Sequence, residues 1–214
     1  MYATQGLLKG YRMTTEDNLG HEQRQIRLEK LKALEQKGIN AYPHLYRPDA
    51  FSKSLGEKYK DLEPGTETED IVSVAGRVRA VRNSGMFIDL YDTTGKIQIY
   101  TSKENSEPAL LEMLDMVDIG DIIGVKGTVR RTKRGELSVA SKEITMLAKA
   151  LLPLPEKFHG LTDTDTKYRH REVDMIMNPE TIETFIKRSK FMKQFVSCYS
   201  LTDVMRWKLR SCRQ

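Results

Sequence analysis

The chain has 214 residues, of which 39% are hydrophobic and 30% are charged, and its formal net charge is +5. No apolar run approaches the ~20 residues of a membrane-spanning helix, and the first residues lack the apolar stretch of a secretory signal. We therefore expect a cytoplasmic protein with no membrane partner. The two cysteines do not have the spacing of zinc ligands or of a disulfide framework, so we expect no metal site.

Positive charge is concentrated near the end of the chain. Residues 185–214 contain eight basic residues and one acidic residue, whereas residues 1–184 contain 27 basic and 29 acidic residues. If the larger part binds nucleic acid, it must do so through local patches, because its overall field does not attract phosphate.

The N-terminal part predicts an extension, a helix and a connector. Residues 1–20 are polar and lack periodicity, which is typical of a flexible segment. Leucines recur at helical spacing from residue 21 to 37, and glycine follows as a stop. Residues 21–66 comprise this helix and a proline-containing connector, with a short helix near 51–59.

The predicted N-terminal helix has a cationic flank formed by Arg24, Arg27 and Lys30. Charges of this kind usually form a solvated face. Contact with RNA is therefore the alternative interpretation of these three residues, not the default one.

Residues 67–150 have the pattern of a mainly β domain. Alternating apolar residues predict strands near 71–82, 86–91, 96–100, 121–131 and 135–141. A helix is predicted at 106–117, with Ser106 as its N-cap. Five strands with a helix between the third and the fourth is the order of the OB-fold. We therefore predict an α+β fold in which a five-stranded OB-fold barrel is preceded by the N-terminal helix and followed by a helical linker.

Residues 85–100 predict a hairpin with two different faces. Grouping the aliphatic side chains requires Leu90 to lie near Ile97 and Tyr91 to pair with Lys96. The strands are then joined by a four-residue loop, in which we expect Gly95 to have a positive φ.

The same register brings a ring and an amide together on the outer face of the hairpin. Phe87 lies opposite Tyr100 and diagonal to Gln98. A partly covered sheet face with chance aromatic residues is one interpretation. The other interpretation is a surface that binds nucleic acid. The OB-fold order favours it, since the second and third strands of that fold present the surface that binds oligonucleotides.

Cations and one carboxylate are predicted around this face. On the first strand, Val72, Val74, Val78 and Ala80 are expected to point inward and Arg77 outward. Cations attract phosphate, whereas rings, amides and carboxylates discriminate bases. The candidate residues on the loop between the last two strands are Arg130, Arg131, Lys133, Arg134 and Glu136.

Several segments resemble one enzyme family. "RLEKLKALEQKGINAYP", "FIDLYDTTGKIQIY" and above all "PLPEKFHGLTDTDTKYRHR" are similar to the N-terminal third of class II lysyl-tRNA synthetase, over about residues 22–195. The resemblance implies that the barrel binds the anticodon loop of lysine tRNA. By the same resemblance, Phe87 would stack on a base, Gln98 and Glu136 would bind uridine edges, and Arg77 would contact the loop. No DNA partner is expected.

The end of the chain departs from that family. Full-length relatives form homodimers and use ATP and Mg²⁺ to make lysyl-adenylate. Here residues 151–195 resemble only the linker and the start of the catalytic domain, and residues 196–214 form a divergent basic tail. We therefore expect an interrupted ligase with no catalytic residues to assign and no cofactor of its own. A non-catalytic module that dimerises or binds a synthetase partner is the alternative.

Overall fold

A computed structural model of the chain describes residues 15–102, 106–154 and 164–201. Residues 1–14 of the predicted extension (1–20), residues 155–163 of the linker and residues 202–214 of the predicted tail (196–214) lie outside the described residues. Residues 15–20 and 196–201 are helical, so the first helix begins earlier than predicted and the last one extends into the predicted tail. The chain divides into two compact units, one ending at Pro153 and one beginning at Leu154.

The described elements follow the predicted order, with longer first and last strands. The strands are β1 (Glu67–Arg82), β2 (Phe87–Tyr91), β3 (Lys96–Tyr100), β4 (Ile122–Arg131) and β5 (Leu137–Ala148). The helices are α1 (Thr15–Gln36), α2 (Ser52–Lys58), α3 (Pro108–Met116), α4 (Thr164–Arg169), α5 (Arg171–Met177) and α6 (Pro179–Leu201). In the described part of the chain, no helix combines the length and apolar character that a bilayer span requires.

The five strands form a closed barrel in the order β1-β2-β3-β5-β4. Strand β1 pairs with both β2 and β4, and β3 runs parallel to β5. The predicted OB-fold is therefore confirmed. The largest fully buried side chains of the barrel interior are Val74, Val78, Ile88, Leu90, Ile99, Ile123, Val125, Val129, Val139 and Met146.

The predicted register of the β2–β3 hairpin is confirmed. Leu90 pairs with Ile97, Tyr91 with Lys96, and Phe87 with Tyr100. The expectation for the loop was wrong, because Gly95 is not among the residues with positive φ. The loop is held instead by the carboxylate of Asp92, which accepts hydrogen bonds from the backbone N–H groups of Thr94 and Gly95.

Two further local predictions need correction. A register shift between Val78 and Ala80 places Ala80 opposite Asp89, so Val81 and not Ala80 packs against the core. A β-bulge of this kind adds one residue to one strand and exchanges the faces that follow it. Helix α3 is preceded by Glu107, without a side-chain capping bond, so Ser106 is not its N-cap.

The barrel requires one very close approach between β4 and β5. A Cβ added at Gly127 would lie 1.9 Å from the carbonyl oxygen of Ala140. No side chain fits at that distance unless the two strands separate. Glycine at this position therefore permits the tight curvature that closes the barrel.

We expect Gly127→Ala to lower the free energy of unfolding by about 1–3 kcal/mol or more, because the methyl group overpacks a backbone contact. Gly56→Ala is the matched control, since a Cβ there meets nothing within 4 Å. It should leave stability unchanged or raise it by about 0.5–1 kcal/mol, because alanine favours a helix. Urea denaturation measures both. Equal effects of the two substitutions would contradict this role for Gly127.

Candidate nucleic-acid interface

The outer face of the hairpin borders a cleft of about 500 Å³. We call it the ring cleft. Its lining comes from the β1–β2 loop, from β2 and β3, and from the end of β4 with the loop that follows. The lining residues are Arg82, Asn83, Phe87, Gln98, Tyr100, Arg130, Thr132, Lys133, Arg134 and Glu136.

Two rings and a guanidinium that contacts one of them form the stacking part of the ring cleft. Phe87 and Tyr100 are directly paired across β2 and β3, and their ring centroids are 5.4 Å apart at an angle of 47°. The guanidinium of Arg130 lies 4.4 Å from the Tyr100 centroid. Both rings are half-buried, so each retains surface on which a planar group can stack.

The amide of Gln98 has a fixed orientation beside these rings. Its Oε1 accepts a hydrogen bond from Ser138 Oγ at 2.8 Å, and its Nε2 donates to Glu136 Oε2 at 3.0 Å. An ionised carboxylate can only accept, so the amide nitrogen must face Glu136. Gln98 is buried where it lines the ring cleft, and its amide has a second N–H beside the acceptor oxygens of Glu136.

A chain of ion pairs supports that arrangement. Lys96 Nζ lies 3.0 Å from Glu136 Oε1 and 3.3 Å from Asp89 Oδ2, and Arg82 donates to Asp89 Oδ1 at 2.5 Å. Burial opposes the charge of Lys96, but the bonds to Glu136 and Asp89 outweigh it and raise the pKa of the ammonium group. Lys96 thus stays charged and holds Glu136 in position.

The β4–β5 loop carries the exposed cations Lys133 and Arg134 at its tip. Thr132 and Glu136 close the loop, with Thr132 N donating to Glu136 O at 2.9 Å and Gly135 N to Thr132 O at 2.8 Å. Gly135 has a φ of 84°. This is the turn with a left-handed residue that a short hairpin needs, and glycine adopts that conformation without strain.

The β1–β2 loop also contains left-handed residues. Asn83 and Ser84 both have a φ of 51°. Asparagine tolerates this conformation better than most residues. The turn places Asn83 in the lining of the ring cleft, together with the cations of the β4–β5 loop.

Two predicted contacts lie outside the ring cleft. Arg77 is half-buried, and its Nη1 donates to Gly120 O at 2.7 Å. Burial, together with the neighbouring Arg79, lowers the pKa of Arg77, although Asp121 opposes the shift. Arg131 donates to the carbonyl oxygens of Tyr59 and Gly135 at 2.8 and 3.2 Å. Both guanidiniums therefore bind backbone of the same chain.

The three cations of α1 are in different environments. The buried guanidinium of Arg27 donates to three carbonyl oxygens at 2.9–3.0 Å. Lys30 forms an ion pair with Asp118 at 2.7 Å. Arg24 is exposed. The carbonyl oxygens that accept from Arg27 belong to Ile119, Ala150 and Leu152.

Sequence reasoning missed four residues of the ring cleft, which are Arg82, Asn83, Tyr100 and Thr132. A signal was present for Tyr100, because the predicted register already paired it with Phe87. Arg82 was not assigned because the bulge near Arg79 shifts the end of β1 by one residue. The turn that brings Asn83 to the rim has no pattern that identifies it in the sequence.

A closed five-stranded barrel with one helix between its third and fourth strands is an OB-fold. Residues 72–147 match the tRNA anticodon family, which is described as an OB-fold nucleic acid binding domain. The chain is similar to lysine–tRNA ligases of bacteria. It is 46% identical over 179 residues to that of Sinorhizobium medicae, 49% over 174 residues to that of Rhizobium meliloti, and 44% over 177 residues to that of a Nostoc species.

These alignments cover 84%, 81% and 78% of this chain, but only 36%, 35% and 32% of the respective ligases. The chain thus spans about a third of the length of the curated relatives it matches. The resemblance to lysyl-tRNA synthetase that the sequence predicts is confirmed over that length.

We expect Arg27→Ala to lower the free energy of unfolding by about 2–4 kcal/mol, because three carbonyl oxygens lose a charged donor. Arg24→Ala is the control from the same helix, and it should change stability by less than about 0.5 kcal/mol. Urea denaturation measures both. If Arg27→Ala is as stable as the parent chain, Arg27 is not a structural anchor and an RNA contact becomes its better interpretation.

Proposed function

We propose that this chain binds the anticodon loop of lysine tRNA in the ring cleft. The observation that carries the proposal is that a single cleft contains a stacking surface, an oriented donor beside an acceptor, and cations. Each kind of group supplies one part of RNA recognition. The similarity to lysine–tRNA ligases supports lysine tRNA as the particular RNA.

In this function the rings bind a base by stacking. Single-stranded bases stack on aromatic side chains, and each stacked base contributes about 1–3 kcal/mol. Phe87 provides the primary surface, and Tyr100 with Arg130 extends it. Stacking is tolerant of sequence, so it supplies affinity more than discrimination.

Discrimination comes from Gln98 and Glu136. The second N–H of Gln98 would donate to a carbonyl oxygen of uridine. The neighbouring Glu136 oxygen would accept from the adjacent N3–H of the same base. Lys133 and Arg134 at the loop tip contact phosphates and position the RNA.

Lysine activation is a property of the full-length relatives, which use ATP and Mg²⁺. The described residues contain no cluster of three or more His, Cys, Asp or Glu side chains that could hold a metal ion.

We expect Phe87→Ala to weaken binding of a lysine tRNA transcript by about 1–3 kcal/mol, or roughly 5- to 150-fold, because a base loses its stacking surface. Tyr91→Ala is the matched control, since it removes an exposed ring from the other end of β2, outside the ring cleft. Filter-binding titrations at several salt concentrations measure both. Equal losses for the two variants, or none for Phe87→Ala, would refute stacking in the ring cleft.

A second prediction concerns base identity. The parent chain should prefer the natural loop over one in which an anticodon uridine is replaced by cytidine. Gln98→Met keeps the volume of the side chain but removes its donor, so this preference should fall by about 1–3 kcal/mol. Lys133→Ala is the control, because loss of a phosphate contact weakens both RNAs equally and leaves their ratio unchanged.

Competition titrations with the two stem-loops give the ratio directly. Two results count against Gln98 as a reader of bases. One is a parent chain that binds both loops alike, and the other is an undiminished ratio in Gln98→Met.

Assembly with a second copy of the chain is the other candidate function. Helix α6 exposes a set of large apolar side chains, which is unusual for a face that contacts only water. They are Ile182, Ile186, Phe191, Met192, Phe195 and Val196. Sedimentation with and without RNA separates the two functions, because assembly through α6 does not require RNA.

A further inference from the structure

A second cleft of about 320 Å³ adjoins the ring cleft. We call it the hydroxyl cleft. Tyr100 and Arg130 line both clefts, so one ring and one guanidinium separate them. The lining residues of the hydroxyl cleft are Glu67, Tyr100, Ser102, Ser106, Thr128, Arg130, Ala140, Ser141 and Lys142.

The strand register explains this depression. Tyr100 pairs with Ala140 on β5, and Ala140 pairs with Thr128 on β4. Alternate residues of a strand share a face, and directly paired residues lie side by side. The methyl group of Ala140 therefore lies between a large ring and a hydroxyl, and its small size leaves the cleft open.

The lining differs chemically from that of the ring cleft. It presents hydroxyl groups, the exposed Lys142 and the carboxylate of Glu67, which accepts from Thr128 Oγ1 at 2.7 Å. Arg130 Nη1 lies 3.9 Å from Glu67, and its buried Nε has no hydrogen-bond partner among the described residues. The Arg130 side chain is a quarter exposed, so its terminal N–H groups can still donate to a bound anion.

We propose that the hydroxyl cleft binds the ribose and phosphate of the nucleotide next to the base stacked on Phe87. This assignment rests on the proposed anticodon binding and extends it along the strand. A single strand that crosses the ridge of Tyr100 and Arg130 passes from one cleft into the other. Lys142 and Arg130 bind its phosphate, and Glu67 with the cleft hydroxyls binds its 2′-hydroxyl.

The chemistry selects RNA over DNA. A 2′-hydroxyl both donates and accepts, and it is the group by which a protein distinguishes RNA from DNA at a given position. In the hydroxyl cleft, the carboxylate can accept the hydrogen bond that a 2′-hydroxyl donates, and the serine and threonine hydroxyls can donate to its oxygen. The ring cleft has no such requirement, since stacking and base-edge bonds do not involve the sugar.

The first test uses a stem-loop with the lysine anticodon and a set of variants that each lack one 2′-hydroxyl in the loop. For the parent chain, we expect one position beside the stacked nucleotide to lose affinity by about 2- to 12-fold, which corresponds to one hydrogen bond. In Ala140→Leu the leucine side chain fills the hydroxyl cleft. Removal of the same 2′-hydroxyl from the RNA should then leave the affinity unchanged. Phe87→Ala should still weaken binding in this background.

The second test uses a surface substitution that does not disturb packing. Lys142→Ala should lower the slope of log affinity against log salt by about one and weaken binding by roughly 3- to 10-fold at low salt. Lys126→Ala is the control, because it removes an exposed lysine of β4 that lines neither cleft. It should leave the slope and the affinity unchanged.

The outcomes distinguish failure of the proposed anticodon binding from failure of the hydroxyl cleft alone. If the stem-loop does not bind the parent chain, both the proposed function and the hydroxyl cleft are refuted. If it binds and depends on Phe87, but no single 2′-hydroxyl matters and Lys142→Ala behaves as Lys126→Ala, only the hydroxyl cleft is refuted. Loss at one 2′-hydroxyl that disappears in Ala140→Leu supports it.

Discussion

The candidate site depends on the pairing register that burial imposes on the β2–β3 hairpin. Ile88, Leu90 and Ile99 are fully buried, and Ile97 is nearly so. A slip of one residue would turn this whole aliphatic set toward water and bring the polar set inside. The loss of that burial, at roughly 25 cal/mol per Å² of apolar surface, is much larger than any contact on the outer face could repay. The core therefore determines which residues face outward.

Closure of the barrel aligns residues of β4 and β5 with the outer face of the β2–β3 hairpin. Because β3 runs parallel to β5 and β5 antiparallel to β4, a single outward row crosses four strands. The row is Asp89, Gln98, Ser138 and Arg130. Ser138 holds the Gln98 amide from one side, and Glu136, in the β4–β5 loop just before β5, holds it from the other. The outer face is thus pre-organised before any ligand arrives, which reduces the entropy lost on binding.

The sequence predicts those features that depend on local periodicity. The OB-fold order, the hairpin register and the outward positions of Phe87 and Gln98 follow from alternation and from the place of one helix. The bulge near Arg79 could not be predicted, because an extra residue in a strand leaves no mark in composition. The roles of Arg27, Arg77 and Arg131 could not be predicted either. A guanidinium binds a phosphate or a backbone carbonyl with the same donors, and only the tertiary structure shows which carbonyl is within reach.

The charge distribution explains how a part of the chain with net negative charge can present a positive cleft. Several of its carboxylates form ion pairs with cations of the same chain, as in the pairs of Asp89 with Arg82, Asp121 with Lys149, and Asp118 with Lys30. A pair of opposite charges about 3 Å apart acts as a dipole, whose field falls off faster than that of a single charge. The cations at the loop tip keep their full effect within a Debye length of about 8–10 Å. A positive cleft therefore does not require a positive net charge of residues 1–184.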